Sequence, residues 1–91
     1  MAVLIEFYGI PRARAGQAGA TIQTNGDPLD LGSLLVELGR QFPALAAECF
    51  EGNRLKSGYA ANLDGGRFIS DPRTLLRDGA SVLILSSDAG G

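Results

Sequence analysis

A single segment of this 91-residue chain carries an apolar stripe at helical spacing: Leu31, Leu34, Leu35, Leu38 and Phe42, with Arg40 and Gln41 off the stripe. Asp30 stands where a helix N-cap belongs, and Pro43 disfavours helical geometry at Phe42 while suiting the first position of a new short helix through Ala44 to Cys49. Every other apolar run is short and bounded by turn residues. One main helix in so small a domain must bury its stripe against a sheet, so the leucines read as core rather than as a cofactor site.

The flanking runs supply that sheet. Val3-Leu4-Ile5-Glu6-Phe7-Tyr8 is dense in β-branched and aromatic residues and reads as a central strand, apolar on both faces of the pleat. Residues 9–19, with Pro11, Arg12 and Arg14, read as a loop whose arginines are solvated charges open to an acidic partner. Ala20–Thr24 alternates as a half-buried strand does, and Asn25-Gly26-Asp27-Pro28 ends it. After the helices, residues 51–54 form a turn and Tyr59–Leu63 an extended segment. Asp64-Gly65-Gly66 is a hairpin signal into Arg67-Phe68-Ile69, a short edge strand. Leu75 and Leu76 are expected to plug the core, and Ala80–Leu85 is the last strand, parallel to the first if they lie side by side. The expected class is α+β: a mixed sheet of four to five strands, one main helix on one face and a short second helix.

Charge and composition exclude several functions. Ten acidic and eight basic residues leave a net charge of −2, too little for a nucleic-acid footprint. No apolar run approaches a membrane span, and the N-terminus lacks the features of a secretory signal, so no membrane partner and a cytoplasmic location are expected. There is no histidine, and Cys49 is the only cysteine, in an apolar stretch that makes it a small buried hydrophobe. Zinc sites and histidine-based relays are thereby excluded. Gly16-Gln17-Ala18-Gly19 lacks the lysine of a phosphate loop, the pairs Asp27/Asp30 and Glu48/Glu51 read as capping or surface charge, and Asp64-Gly65-Gly66 is too short for a calcium loop. No cofactor and no catalytic residue are expected; the chain is not read as an enzyme.

What remains is the end of the chain. Residues 1–85 read as a folded domain and 86–91 as a tail, Ser86-Ser87-Asp88-Ala89-Gly90-Gly91, small and polar, leaving a firmly anchored strand. Extended, such a tail reaches on the order of 20 Å, enough to enter another protein's active site. Gly90 and Gly91 pass through slots too narrow for a side chain. The surface that binds a partner is expected on the sheet face away from the helix, where Val3, Ile5, Phe7, Phe68, Val82 and Ile84 supply candidates. The parity that faces outward is open, and the alternative places most of them in the core.

The order of these phrases resembles the ubiquitin-like β-grasp fold and, within it, the sulfur-carrier family of MoaD and ThiS. Val3–Tyr8 with Arg12, Arg14, Ala15 and Gly16 is similar to the family's first strand and arginine-containing loop, on the side of the molybdopterin-synthase small subunit. Leu34-Leu35, Leu38 and Phe42-Pro43-Ala44-Leu45 resemble its helix, and Leu76-Arg77-Asp78-Gly79, Val82-Leu83-Ile84-Leu85 and Gly90-Gly91 its closing segment. Relatives commonly carry prolines after the last strand, where this chain has Ser86 and Ser87.

The resemblance implies a sulfur carrier. An ATP-dependent activating enzyme, an adenylyltransferase, adenylates the Gly91 carboxylate; a sulfur donor converts it to a thiocarboxylate; Gly90 and Ala89 thread into the partner. The acceptor implied is a synthase such as the molybdopterin synthase large subunit, with thiamine, cysteine or thiolated-RNA pathways as alternatives. A modifier conjugated through Gly91 and a β-grasp interaction module are the rival readings.

Overall fold

The computed structural model describes residues 1–26 and 28–87. In chain order the elements are β1 (Ala2–Tyr8), α1 (Ile10–Ala15), β2 (Gly19–Gln23), β3 (Leu29–Asp30), α2 (Leu31–Gln41), α3 (Pro43–Cys49), β4 (Phe50–Glu51), β5 (Arg54–Leu55), β6 (Tyr59–Leu63), β7 (Arg67–Ile69), β8 (Leu75–Leu76) and β9 (Ser81–Ser86). Five strands form one mixed sheet in the order β2-β1-β9-β6-β7. β1 and β9 run parallel, and the other neighbours are antiparallel. The helices cover one face, as an α+β roll requires.

Local chemistry places α2 where the stripe predicts. Asp30 Oδ1 accepts the Ser33 N–H at 2.8 Å, satisfying a donor at the helix start that has no partner within the helix. Leu31, Leu34, Leu35 and Leu38 are buried, each worth about 1.5–3 kcal/mol of transfer free energy. Phe42 leaves helical geometry at φ −129° before Pro43, which opens α3. The Phe42 ring meets Phe7 edge-on, centroids 5.6 Å apart, fastening the helix–helix corner to the sheet.

The turn between β6 and β7 follows its sequence too. Asp64 and Gly65 take φ of 54° and 68°, and the Gly66 N–H donates to the Leu63 carbonyl at 3.0 Å, the primed turn that an Asp-Gly pair favours. β7 is the edge strand expected.

Three expectations are corrected. Residues 9–19 are not a plain loop, because α1 forms there with Pro11 in its first turn and Gly16, at φ 78°, closing it by donating to the Arg12 carbonyl. Proline inside the start and glycine just past the end is a helix signature, and buried Pro11 anchors it. Leu76 is buried, but Leu75 is 65% exposed, since adjacent residues of β8 point to opposite sides. β1 is internal, lying between β2 and β9, yet its apolar residues are not buried on both faces. Leu4 and Tyr8 are 50% and 56% exposed, because no helix among the described residues covers the second face.

Candidate functional site

The site is built around the end of β9. This strand lies in the middle of the sheet, with Tyr8 opposite Leu85 on β1 and Tyr59 opposite Ser86 on β6. Its pairing runs one residue beyond the apolar run, to Ser86, which is buried. The next residue is held as well: the Ser87 N–H donates to the Gly58 carbonyl at 2.7 Å. Gly58 presents that carbonyl from φ 95°, a conformation side chains rarely permit. Chain beyond Ser87 thus starts from a root fastened on both flanks. Ala89, Gly90 and Gly91, the residues expected to carry the chemistry, lie outside the described residues.

Beside the root, one carboxylate links α1, α3 and β6. Glu48 Oε2 accepts the Tyr59 hydroxyl at 3.1 Å, and Glu48 Oε1 lies 3.3 Å from Arg14 Nη2. Desolvation of the Tyr59 ring, with the Glu48 carboxylate next to it, pushes the phenol up to about 12. Lys56 Nζ donates to the Ala47 carbonyl at 2.7 Å, tying the segment before β6 to the end of α3. Burial pushes the Cys49 thiol up, so it is a packed hydrophobe rather than a nucleophile. These side chains brace the root and hold no acid–base or nucleophilic relay.

Strand parity decides the candidate docking face. Val3, Ile5, Phe7, Val82 and Ile84 are all core residues beneath the helices, so Phe7, Val82 and Ile84 do not form the exposed surface for which they were candidates. Of the candidates only Phe68 stays outside, 68% exposed. The open face instead shows Leu4 and Tyr8 from β1, Leu83 and Leu85 from β9, Ala60 from β6 and Phe68 from β7. One signal was available in the sequence: Glu6 must face water, and it shares its side with Leu4 and Tyr8. Asn62 sits between Leu83 and Phe68, and its Oδ1 is buried without a hydrogen-bond partner among the described residues. A cleft of about 360 Å³, lined by Arg54, Lys56, Tyr59, Ala60 and Phe68 among others, opens between β5 and the paired strands β6 and β7.

No protein-family model matches the sequence, and no curated protein matches it. Solved structures do. SAMP1, the small archaeal modifier protein 1 of Haloferax volcanii, superposes with a TM-score of 0.83 at 17% identity over 100% of both chains. The fold is the ubiquitin-like β-grasp. The same β-grasp likeness extends to a putative molybdopterin converting factor subunit 1 from Pyrococcus furiosus, with TM-score 0.76 and 18% identity over 94% of this chain and 97% of that one. A chain of the Amycolatopsis orientalis BexX/CysO complex follows, at 0.72 and 15% over 98% and 99%. At these identities the likeness is one of β-grasp architecture, carried by the parallel β1–β9 pair and the helix crossing between the two halves of the sheet.

Proposed function

We propose that this chain is a sulfur carrier whose Gly91 carboxylate is the reactive group, lent to enzymes that supply the chemistry. A free carboxylate is a poor acyl donor. Attack on the α-phosphate of ATP expels pyrophosphate and leaves an acyl adenylate; hydrosulfide then adds to the carbonyl, expels AMP and gives up its proton, leaving a thiocarboxylate. In this scheme Ala89 and Gly90 thread the partner's slot, and the pinned end of β9 fixes the point from which they start, so that docking of the body delivers the tail by proximity. The open face around Leu85, Tyr8 and Phe68 is the docking surface.

The single observation that carries this reading is the root geometry, with Ser86 paired in mid-sheet and Ser87 held by Gly58 beside an uncovered apolar face. The partners implied are an ATP-dependent adenylyltransferase and a sulfur-accepting synthase, in the cytoplasm where ATP is plentiful. Molybdopterin synthesis is the favoured pathway. It is supported by the sequence phrases that resemble the small-subunit side of the family and by the fold shared with the putative Pyrococcus converting factor subunit. Intact-mass analysis of protein from cells holding the partner system tests the reading: the expected product is one oxygen replaced by sulfur at Gly91, and its persistent absence overturns it.

A second reading, a modifier joined to target lysines through Gly91, is favoured by the likeness to SAMP1. It shares the adenylation step and differs in the acceptor. Covalent adducts ending in the Gly91 carbonyl would establish it.

A further inference from the structure

β2 is an edge of the five-stranded sheet, and the direction of its backbone groups follows from the ladder. The Phe7 N–H donates to the Ala18 carbonyl and the Thr24 N–H to the Met1 carbonyl, both at 2.8 Å. With Ile5 opposite Ala20 and Val3 opposite Ile22, the even-numbered residues turn their backbone groups toward β1. Gly19, Thr21 and Gln23 turn theirs away from the sheet. Thr21 and Gln23 are exposed. Among the described residues, the hydrogen bond made to this outer edge is from Gln17 Nε2 to the Gly19 carbonyl, at 2.6 Å.

Edges of this kind are normally blunted by lysine, proline, a bulge or a covering segment. Gly19-Ala20-Thr21-Ile22-Gln23 has no charged residue and no proline, and its register with β1 is unbroken. The other edge, β7, is shorter and carries Arg67.

We propose that the β2 edge is a self-association site, at which a second copy of the chain adds its own Gly19–Gln23 strand antiparallel to the first. Thr21 lies at the two-fold axis, where the N–H of each copy donates to the Thr21 carbonyl of the other. Gly19 of each copy faces Gln23 of its partner. The occupant follows from charge: Gly19–Gln23 carries none, so an identical strand laid against it sets no like charges opposite each other, whereas the other edge, β7, carries Arg67. The two Thr21 side chains meet on the open face, a favourable cross-strand pair. Such an axis stands perpendicular to the sheet, so both docking faces lie on one side. Each β9 end stays clear, with β1 between it and the new seam. One strand pair buries far less than the roughly 1,200 Å² of a stable specific interface, so the dimer is weak, with a dissociation constant on the order of 10⁻⁴ M.

Sedimentation of the full chain from about 10 µM to about 1 mM, spanning that constant, tests this. The weight-average mass is expected to climb from that of the 9.5 kDa chain toward the dimer. Thr21→Pro removes the central outward N–H without touching the β1 ladder, and Thr21→Lys sets like charges across the axis. Each variant, folded by circular dichroism, is expected to stay monomeric. Amide exchange supplies a readout that fold stability does not move: Thr21 and Gln23 slow several-fold over this concentration range while Ile22 does not. A monomer throughout, a dimer that survives Thr21→Pro, or edge amides indifferent to concentration, as an edge reserved for another protein's strand would show, overturns the proposal.

Discussion

Ser87 donates its backbone N–H to the Gly58 carbonyl at 2.7 Å, one residue past the end of β9. The bond holds the chain's exit point against the turn that starts β6, and it depends on a glycine at φ 95°. Gly58→Ala meets no neighbour within 4 Å, so its penalty is purely conformational. The expected loss is about 1–3 kcal/mol in urea unfolding, together with faster hydrogen exchange at Ser87. An unchanged Ser87 amide would show that the root is held by something else.

Gly32 in the first turn of α2 tests the packing of that helix on the 71–74 turn. A Cβ there would lie 2.9 Å from Pro72 Cβ and 3.2 Å from both the Pro72 carbonyl and Asn53 Nδ2. Alanine raises helix propensity by about 1 kcal/mol, yet overpacking of this kind costs about 1–3 kcal/mol. Gly32→Ala is therefore expected to lower the urea midpoint; a rise would mean the turn moves aside freely.

The Asp30 cap should be visible in acid. The Ser33 N–H holds the Asp30 carboxyl below its ordinary 3.8, so the folded state favours the ionised form. That contribution is present above pH 3.8 and is lost as pH falls through the lower folded value. Asp30→Ala is expected to cost about 1 kcal/mol at neutral pH, with the gap to the unmodified chain closing as the solution becomes more acidic.

Tyr59 gives the opposite signature at high pH. Its folded value is raised from 10.0 to about 12 by burial and by Glu48, so the folded state holds its proton more tightly than the unfolded one. Stability from this group is complete below pH 10 and is lost as pH rises toward about 12. Denaturation at stepped alkaline pH should show a steeper decline for the unmodified chain than for Tyr59→Phe; parallel curves would remove Tyr59 from the balance.

On the open face, Phe68→Ser and Tyr8→Ser separate docking from folding, because both side chains are exposed. Phe68 is 68% exposed, so Phe68→Ser should change stability by no more than about 0.5 kcal/mol. Aromatic anchors commonly carry interface energy, and on the proposed carrier reading adenylation by an activating enzyme is expected to fall about tenfold or more for each variant. Unaltered adenylation would place the docking surface elsewhere.

Much of this was legible because it is local. The leucine stripe from Leu31 to Leu38, the Asp30 cap, the break at Pro43 and the Asp64-Gly65 turn each depend on residues within a few positions of one another. α1 was equally local, with Pro11 and Gly16 marking its ends. It escaped because six residues are too few to show a periodicity. The two-residue pairings of β3 with β8 and β4 with β5 left no pattern at all.

The order of the five sheet strands with α2 and α3 between them, the apolar content that makes a core and the small tail ending in Gly90-Gly91 were properties of the amino-acid sequence alone. Which side of each strand became core was not. β1 and β9 have apolar residues on both sides, and apart from Glu6 on β1 their alternation stays ambiguous until a helix covers one of them. Tertiary packing broke that symmetry by burying Phe7, Val82 and Ile84 beneath the helices, leaving Tyr8 and Phe68 exposed and Leu85 half-buried. It also brought Gly58 to Ser87 and Glu48 to Tyr59, contacts between residues 29 and 11 positions apart that no local pattern encodes, because they exist only once the sheet has closed around β9.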